Sequence, residues 1–218
     1  MGITGLIRRA LLPGTVLCLA WTSPASSQDG WESLFDGKTL NGWHSTATAI
    51  PANATPGQFG TSKPCTSASA PSPAMPAGMS HWEIVDGLLM GCGDPAGYLI
   101  SDRTFRNFVL SLEFKTGSET NSGVFVRNGY EVQIWKQQPA GYNTGAIVNT
   151  AKTARDFAFK ADEWNLLVIT ADGDHLIVVL NGETTVDVHD SRFAEGNIRL
   201  QYQQYPIAFR NLRIRMLP

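Results

Sequence analysis

Short runs of alternating apolar and polar residues recur along most of the chain and predict β-strands. The run Asn107–Thr116 is an example, with Phe108, Leu110, Leu112 and Phe114 on one face and Val109, Ser111, Glu113 and Lys115 on the other. Asp-Gly or Asn-Gly turn signals separate the runs at 86–87, 128–129, 172–173 and 181–182. No segment has a long helical period. About a dozen closely spaced strands predict an all-β fold, an antiparallel sandwich or jelly roll.

The segment Asn121–Trp135 predicts a β-hairpin with strands Ser122–Arg127 and Tyr130–Trp135 and the turn Asn128-Gly129. Because side chains alternate between faces, one face is apolar. The other face gathers Phe125, Arg127, Glu131, Gln133 and Trp135. Planar polar groups beside aromatic rings are typical of a sugar-binding surface. An ordinary solvated face with one cross-strand ion pair would also explain this mixture.

A second polar strand face comes from Arg199, Gln201 and Gln203, opposite Ile198, Leu200 and Tyr202. In the last strand, Leu212, Ile214 and Met216 share one face, and Arg210 has the same parity. An arginine at such a position lies either at a β-bulge or buried with a partner. Glu131 is the partner that we expect.

The chain begins with two arginines, an apolar run from Ala10 to Trp21 and small residues at 25–27. This pattern predicts a secretory signal peptide over residues 1–27, and therefore a periplasmic or secreted protein. The apolar run is too short to be a permanent membrane span. A twin-arginine signal is a weaker alternative. Residues 28–218 are then predicted to form one β-sandwich domain.

Residues 45–80 interrupt the strand pattern, since 28 of these 36 residues are Ala, Ser, Thr, Pro or Gly. Such a segment is either an extended loop near the site or a disordered insertion. After the signal peptide two cysteines remain, Cys65 in the insertion and Cys92 in the body of the domain. In an exported protein they predict one disulfide, the alternative being two separate buried thiols.

The charge pattern excludes some partners. Without Arg8 and Arg9, the chain has 15 basic and 19 acidic residues, a net charge of −4 at pH 7. No basic patch is present, so nucleic acid and anionic membranes are not expected partners, and the sequence does not indicate an oligomeric state.

Several catalytic patterns are absent. The four histidines lack metal-ligand spacing, and there is no nucleophile elbow, phosphate loop or dinucleotide fingerprint. A conventional glycosidase needs two carboxylates. Glu131 is followed at the expected spacing by Gln133 rather than by a second acid, and Glu113 and Asp102 are the remaining candidates. The sequence therefore argues against a two-carboxylate mechanism.

A series of short motifs carries a family resemblance. In order they are WESLFDGKTLNGW (31–43), WEIVDGLL (82–89), NFVLSLE (107–113), NSGVFVRNGYEVQI (121–134), TGAI (144–147), EWN (163–165), LNG (180–182), GNIRLQ (196–201) and FRNLRI (209–214). Together they resemble the 3-keto-disaccharide hydrolase family, long known only as a domain of unknown function. The resemblance covers the chain from about Gly30 to its end.

The resemblance implies a concanavalin A-like jelly roll with a sugar-binding concave sheet. It also implies action on glycosides that are already oxidised to a ketone at C3. Such a ketone acidifies the C2 hydrogen, so the anomeric bond can break by proton abstraction and elimination, with water added afterwards. This chemistry needs one placed base or acid and polarisation of the ketone.

By position, the resemblance makes Glu131 the candidate base, with Arg127, Gln133 and Gln201 binding substrate oxygens or the enolate. Arg210 would orient Glu131, Asn121 would cap the hairpin or reach the site, and Trp135 supplies a ring for a sugar face. Members often carry a histidine and a glycine after the LQ motif, where this chain has Tyr202-Gln203-Gln204-Tyr205. Some members use a divalent metal, but no ligand set is assured here.

Three functions are compared. The first is an exported hydrolase or lyase of 3-keto-glycosides. The second is a non-catalytic carbohydrate-binding module of the same fold, which would tolerate loss of Glu131. The third is a structural or adhesion domain with a solvated polar face. Replacement of Glu131 by glutamine separates the first two, and failure to bind any sugar would favour the third.

Overall fold

The part of the chain that the structure describes contains thirteen strands, all of them paired antiparallel. This computed structural model describes Met1 and residues 30–47, 82–92, 96–136, 140–203 and 205–218. The strands are β1 Trp31–Ser33, β2 Trp43–Ala47, β3 Trp82–Val85, β4 Leu88–Gly91, β5 Gly97–Phe105, β6 Phe108–Thr116, β7 Asn121–Val126, β8 Tyr130–Trp135, β9 Asn165–Asp172, β10 His175–Leu180, β11 Glu183–His189, β12 Gly196–Tyr202 and β13 Ile207–Met216. No helix occurs among these residues.

The strands form two sheets that pack face to face. The larger sheet has the order β11-β10-β9-β6-β13-β4-β3, with β1 added against β13. The smaller sheet has the order β2-β5-β12-β7-β8. All pairings are antiparallel, and neighbours in each sheet are mostly distant in sequence. The predicted all-β jelly-roll sandwich is confirmed.

The core lies between the two sheets and follows the alternation seen in the sequence. Four side chains of β6 are fully buried, namely Phe108, Leu110, Leu112 and Phe114. From the smaller sheet, Leu99, Val124, Val132 and Leu200 are fully buried as well. Since successive strand residues point to opposite faces, residues one position away on the smaller sheet must point out of the sandwich. That outward face is where the candidate site lies.

A β-bulge in β13 explains the unusual parity of Arg210. The register between β13 and β6 shifts between Arg210 and Arg213, and Asn211 adopts a φ of 53°. Phe209 before the bulge and Leu212 after it are both buried. The extra residue inverts the alternation, so Arg210 points to the outer side of the larger sheet. Of the two alternatives from the sequence, the bulge is therefore confirmed.

Several predictions fall outside the described residues. The signal segment 1–27 is described only at Met1, and the insertion 45–80 only at residues 45–47, which form the end of β2. Cys92 is buried just after β4, but Cys65 lies outside the described residues, so the disulfide stays a prediction. In the described ranges, no helix has the length and apolar character that crossing a membrane requires.

Candidate functional site on the smaller sheet

The outward face of the smaller sheet carries two parallel rows of side chains, one from each of its five strands. Pairing registers define both rows. The first row is Glu131, Phe125, Arg199, Ile100 and His44, and the second is Gln133, Gly123, Gln201, Tyr98 and Thr46. The rows bring a carboxyl group, two amides, a guanidinium and two aromatic rings onto one surface. We call this surface the open face.

Glu131 is the most perturbed acid of the open face. Burial raises the pKa of its carboxyl group from the ordinary 4.5 to about 7. Its carboxyl group leans diagonally across β7, toward Gly123 rather than over its direct register partner Phe125. No described residue donates a hydrogen bond to it. A carboxyl group with a near-neutral pKa and no fixed partner is suited to proton transfer near pH 7.

Two amides flank the position of Gly123. Gln133 is directly opposite Gly123 on β8, and the register of β12 places Gln201 on the other side. The Gln201 side chain is 8% exposed, and its Nε2 donates to Tyr98 Oη over a long 3.5 Å. Its buried Oε1 has no hydrogen-bond partner among the described residues. A buried amide oxygen without a partner is costly unless a ligand supplies one.

Arg199 provides a positive charge on the open face. Its Nη2 donates to Asn128 Oδ1 over 3.0 Å, while its buried Nε has no partner among the described residues. Tyr98 packs edge-on against Phe125, with ring centroids 5.4 Å apart. Burial raises the pKa of the Tyr98 hydroxyl, the Glu131 charge raises it further, and Arg199 lowers it. These groups therefore share one electrostatic environment.

Asn121 and Trp135 lie opposite each other where β7 begins and β8 ends. Asn121 is 8% exposed and Trp135 is partly buried. Both have the same strand parity as the second row's residues, so they extend the open face by one more pair. By strand parity they therefore share one surface with Glu131 and Gln133, while contact of either residue with a ligand stays a prediction.

Arg127 does not reach the open face, which corrects the expected placement. The loop between β7 and β8 comprises residues 127–129, one more than the predicted turn Asn128-Gly129. Arg127 belongs to this loop, since its φ is 52° and that of Asn128 is 65°. The Arg127 side chain is 1% exposed. Its Nε donates to Arg106 O over 2.7 Å and its Nη1 to Gly173 O over 2.6 Å. The guanidinium thus joins loops at one end of the sandwich.

Arg210 is also apart from Glu131, which corrects the expected pairing. It lies on the outer side of the larger sheet, where its Nε is 2.5 Å from Glu113 Oε2. Its guanidinium stacks 3.9 Å from the centroid of Trp164. Arg210 and Glu113 are direct register partners. The core of the sandwich separates this pair from Glu131, so Arg210 cannot orient that carboxyl group.

Neither candidate for a second carboxylate lies near Glu131. Glu113 belongs to the other sheet. Asp102 shares the open face but lies three strands away on β5, about 14 Å at the usual strand spacing, and its Oδ1 is 2.7 Å from His44 Nδ1. Paired catalytic carboxyls are about 5–9.5 Å apart. Neither Glu113 nor Asp102 therefore forms a carboxylate pair of that geometry with Glu131.

The sequence did not decide whether the protein binds a divalent metal. Within the described ranges, no group of three or more His, Cys, Asp or Glu side chains is close enough to hold a metal ion. Around Glu131 the potential ligands on the open face are its own carboxyl group and the amides of Gln133 and Gln201. The position after the LQ motif is Tyr202, which points into the core. The described residues therefore do not fit a resident metal centre, and no step is derived through one.

Sequence reasoning placed Phe125 on the candidate sugar-binding face but gave no site role to Arg199, Tyr98 or Gly123. Arg199 shares the parity of Gln201, and this alternation already places it on the polar face. Tyr98 lies in a short strand whose pairing neighbours cannot be predicted from the local sequence, so no sequence signal links it to Glu131. The sheet order β5-β12-β7-β8 brings these residues together, and that order is not readable from local patterns.

Comparisons with known proteins identify the family and the fold of the chain. The sequence profile of the 3-keto-alpha-glucoside-1,2-lyase-like domain matches residues 30–215. A crystal structure of a candidate glycosyl hydrolase from Parabacteroides distasonis ATCC 8503 is 27% identical, with a TM-score of 0.56, over 62% of this chain and 90% of that one. A second candidate glycosyl hydrolase from that organism is 16% identical, with a TM-score of 0.64, over 87% and 94% of the two chains, and shows the fold alone.

No curated protein sequence matches the chain. The profile match covers more than half of the chain and supports a carbohydrate-active role. Because the family profile matches residues 30–215, the chain belongs to the family of 3-keto-alpha-glucoside-1,2-lyase-like domains.

Proposed function

We propose that this protein is an exported enzyme that cleaves 3-keto-glycosides by acid–base chemistry on the open face. The observation that carries the proposal is Glu131, whose pKa is raised to about 7 and whose carboxyl group has no partner among the described residues. The family match supports the choice of a 3-keto-glycoside as substrate. Neither Glu113 nor Asp102 lies near Glu131, which favours a reaction that needs only one proton-transfer group.

Elimination on a 3-keto sugar meets that condition. The Glu131 carboxylate takes the proton from C2, and the electrons of the C–H bond form an enolate with the C3 ketone. The enolate electrons then form a C1–C2 double bond while the bond from C1 to the glycosidic oxygen breaks. The protonated Glu131 returns its proton to the departing oxygen. Subsequent addition of water to the unsaturated sugar gives net hydrolysis.

The neighbours of Glu131 can stabilise the charge that develops. Nε2 of Gln133 and Nε2 of Gln201 are hydrogen-bond donors on either side of Gly123, and Arg199 adds a positive charge. Donors fixed in a partly buried site stabilise an enolate oxygen more strongly than water does. The rings of Tyr98 and Trp135 offer apolar surfaces for the sugar.

The test is incubation of the purified protein with a 3-keto-disaccharide and, separately, with its unoxidised parent, with and without a chelator. We expect sugar release from the keto form only. Release from the parent sugar would mean that a second carboxylate acts with Glu131, contrary to the proposal. Binding without release from either sugar would instead identify a carbohydrate-binding module.

Export and a disulfide between Cys65 and Cys92 belong to the same proposal. The charged, apolar and small-residue order of residues 1–27 supports export, and two cysteines in an exported chain support pairing. N-terminal sequencing of protein from the periplasm or medium would locate cleavage near residues 25–28. Peptide mass mapping without reduction would detect the disulfide-linked pair. An intact N-terminus or two alkylated cysteines would contradict these points.

A further inference from the structure

Gly123 has no conformational reason to be glycine. It lies within β7, is buried and pairs with Gln133 in regular antiparallel register. Its φ does not fall in the left-handed region where glycine is favoured. Glycine inside a strand weakens the strand and often marks a close approach by another group. The reason for glycine here must therefore be space.

The space above Gly123 is filled by Glu131. A Cβ built on Gly123 would lie 2.8 Å from Glu131 Oε1 and 3.1 Å from Glu131 Cγ. The next contact is the carbonyl oxygen of Val132 at 3.3 Å. Gly91 differs, because its Cβ would meet the core side chains of Tyr202 and Trp82. At Gly123 the main obstacle is the flexible end of the candidate base.

We infer that Gly123 is a positioning residue, whose missing side chain leaves the space in which the Glu131 carboxyl group lies. This sets the point over β7 where the base meets the substrate C–H. The inference deepens the proposed function and rests on it for the role of the base. The amides of Gln133 and Gln201 lie on either side of that point. The reacting carbon of the sugar then sits above β7, between β8 and β12.

The proposal can be tested with a single methyl group. Gly123→Ala adds a Cβ that the Glu131 side chain can avoid by moving, so the fold should survive while the carboxyl group shifts toward solvent. Gly117→Ala is the matched control, because Gly117 also lacks a left-handed φ and a Cβ there meets nothing within 4 Å. Thermal unfolding and circular dichroism check that both variants fold.

The first readout is independent of any substrate. Carbon-13 NMR of protein labelled at the glutamate carboxyl carbon follows the titration of Glu131, with Glu131→Gln used to assign the signal. Tyr98 and Arg199 face this group and are unchanged in both variants. A lower titration midpoint in Gly123→Ala, with a wild-type midpoint in Gly117→Ala, would support the inference. The wild-type midpoint in Gly123→Ala would overturn it.

The second readout is turnover of a 3-keto-disaccharide. Displacement of a catalytic group by about 1 Å costs about 10²-fold, and we expect a loss of this size in kcat for Gly123→Ala with KM little changed. In the double variant with Glu131→Gln the loss should not exceed that of Glu131→Gln alone. Additive losses would overturn the inference. If the wild-type protein turns over no 3-keto sugar, the proposed function fails, while the NMR titration still decides the position of Glu131.

Discussion

Arg210 Nε and Glu113 Oε2 lie 2.5 Å apart on the outer side of the larger sheet, in direct register across β13 and β6. The two side chains are 37% and 26% exposed, and the guanidinium also covers the ring of Trp164. The pair therefore stabilises the sheet and takes no part in the chemistry of the open face.

This relationship predicts the outcome of a double-mutant cycle. Arg210→Ala and Glu113→Gln should be coupled by about 1 kcal/mol in the free energy of unfolding, since partly exposed ion pairs contribute little more. Urea unfolding of the two single variants and the double variant gives this value. Neither single variant should change kcat on a 3-keto-disaccharide. A large loss of kcat in Arg210→Ala would mean that Arg210 acts on Glu131 after all.

Glu131→Gln should remove turnover and preserve binding. The amide keeps the shape of the side chain but cannot accept a proton, so kcat should fall by about 10²- to 10⁴-fold. Asp102→Asn is the control, because it changes another carboxyl group on the same face three strands away. Its kcat should stay near the wild-type value. Steady-state kinetics and calorimetric binding of the substrate measure the two effects. If the Glu131→Gln variant kept its turnover, Glu131 could not be the base.

The rate should depend on the ionisation of Glu131. A base acts only when it is deprotonated, and burial places the pKa of this group at about 7. We expect kcat/KM to rise with pH up to about 7 and to be level above it. A pH profile from 5 to 9 measures this. A rate that falls as the pH passes 7 would instead assign the acid form of Glu131 to the rate-limiting step.

Stability should change with pH in the opposite direction. Because the folded-state pKa of Glu131 is above its ordinary 4.5, folding favours the protonated form, and this contribution is complete below 4.5. It is lost as the pH rises through about 7, at a cost of at most about 3 kcal/mol. Glu131→Gln cannot ionise, so its Tm should exceed that of the wild type at pH 8 and match it at pH 4.5. Equal Tm values at both pH values would contradict the raised pKa.

Arg127→Ala should destabilise the protein without a specific loss of catalysis. It removes the hydrogen bonds that the buried guanidinium donates to the carbonyl oxygens of Arg106 and Gly173, which we expect to cost about 3 kcal/mol. Arg127→Lys should recover only part of this, because an ammonium group lacks the fork of donors. Arg155→Ala is the control, since Arg155 is an exposed partner of Glu183. Urea unfolding and kcat below the unfolding transition measure both effects. A normal Tm with lost kcat would restore the role predicted from the sequence.

Local patterns were sufficient for most of the fold. Strand β8 has the bounds expected from alternation and the Asn-Gly turn, and β6 differs from the predicted run Asn107–Thr116 by one residue. The short strands β1 and β2 were not predicted, because three or five residues are too few to establish a period.

The site was predicted where parity alone decides a side chain's position. Glu131, Gln133 and Gln201 lie on the open face because their strands are regular. Parity failed at Arg127 and Arg210, where positive φ values at residue 127 and at Asn211 break the alternation. At Arg210 the parity itself indicated a bulge as one of two alternatives. Arg127 is not part of the Asn-Gly turn signal, so nothing in the local sequence indicated the break there. The raised pKa of Glu131 comes from burial in the folded protein, so the local sequence could not predict it either.

The outer edge of β8 is occupied by the protein's own chain. Gln133 N donates to Ala146 O, Gly145 N donates to Gln133 O and Val148 N donates to Glu131 O, each over 2.9 Å. The segment 145–148 is held in turn by Thr185, whose hydroxyl donates to Gly145 O over 2.8 Å. An exposed strand edge is a template for association with another chain. Here the strand that carries Glu131 offers no such template along residues 131–133, so a second molecule cannot extend the sheet there and cover the open face.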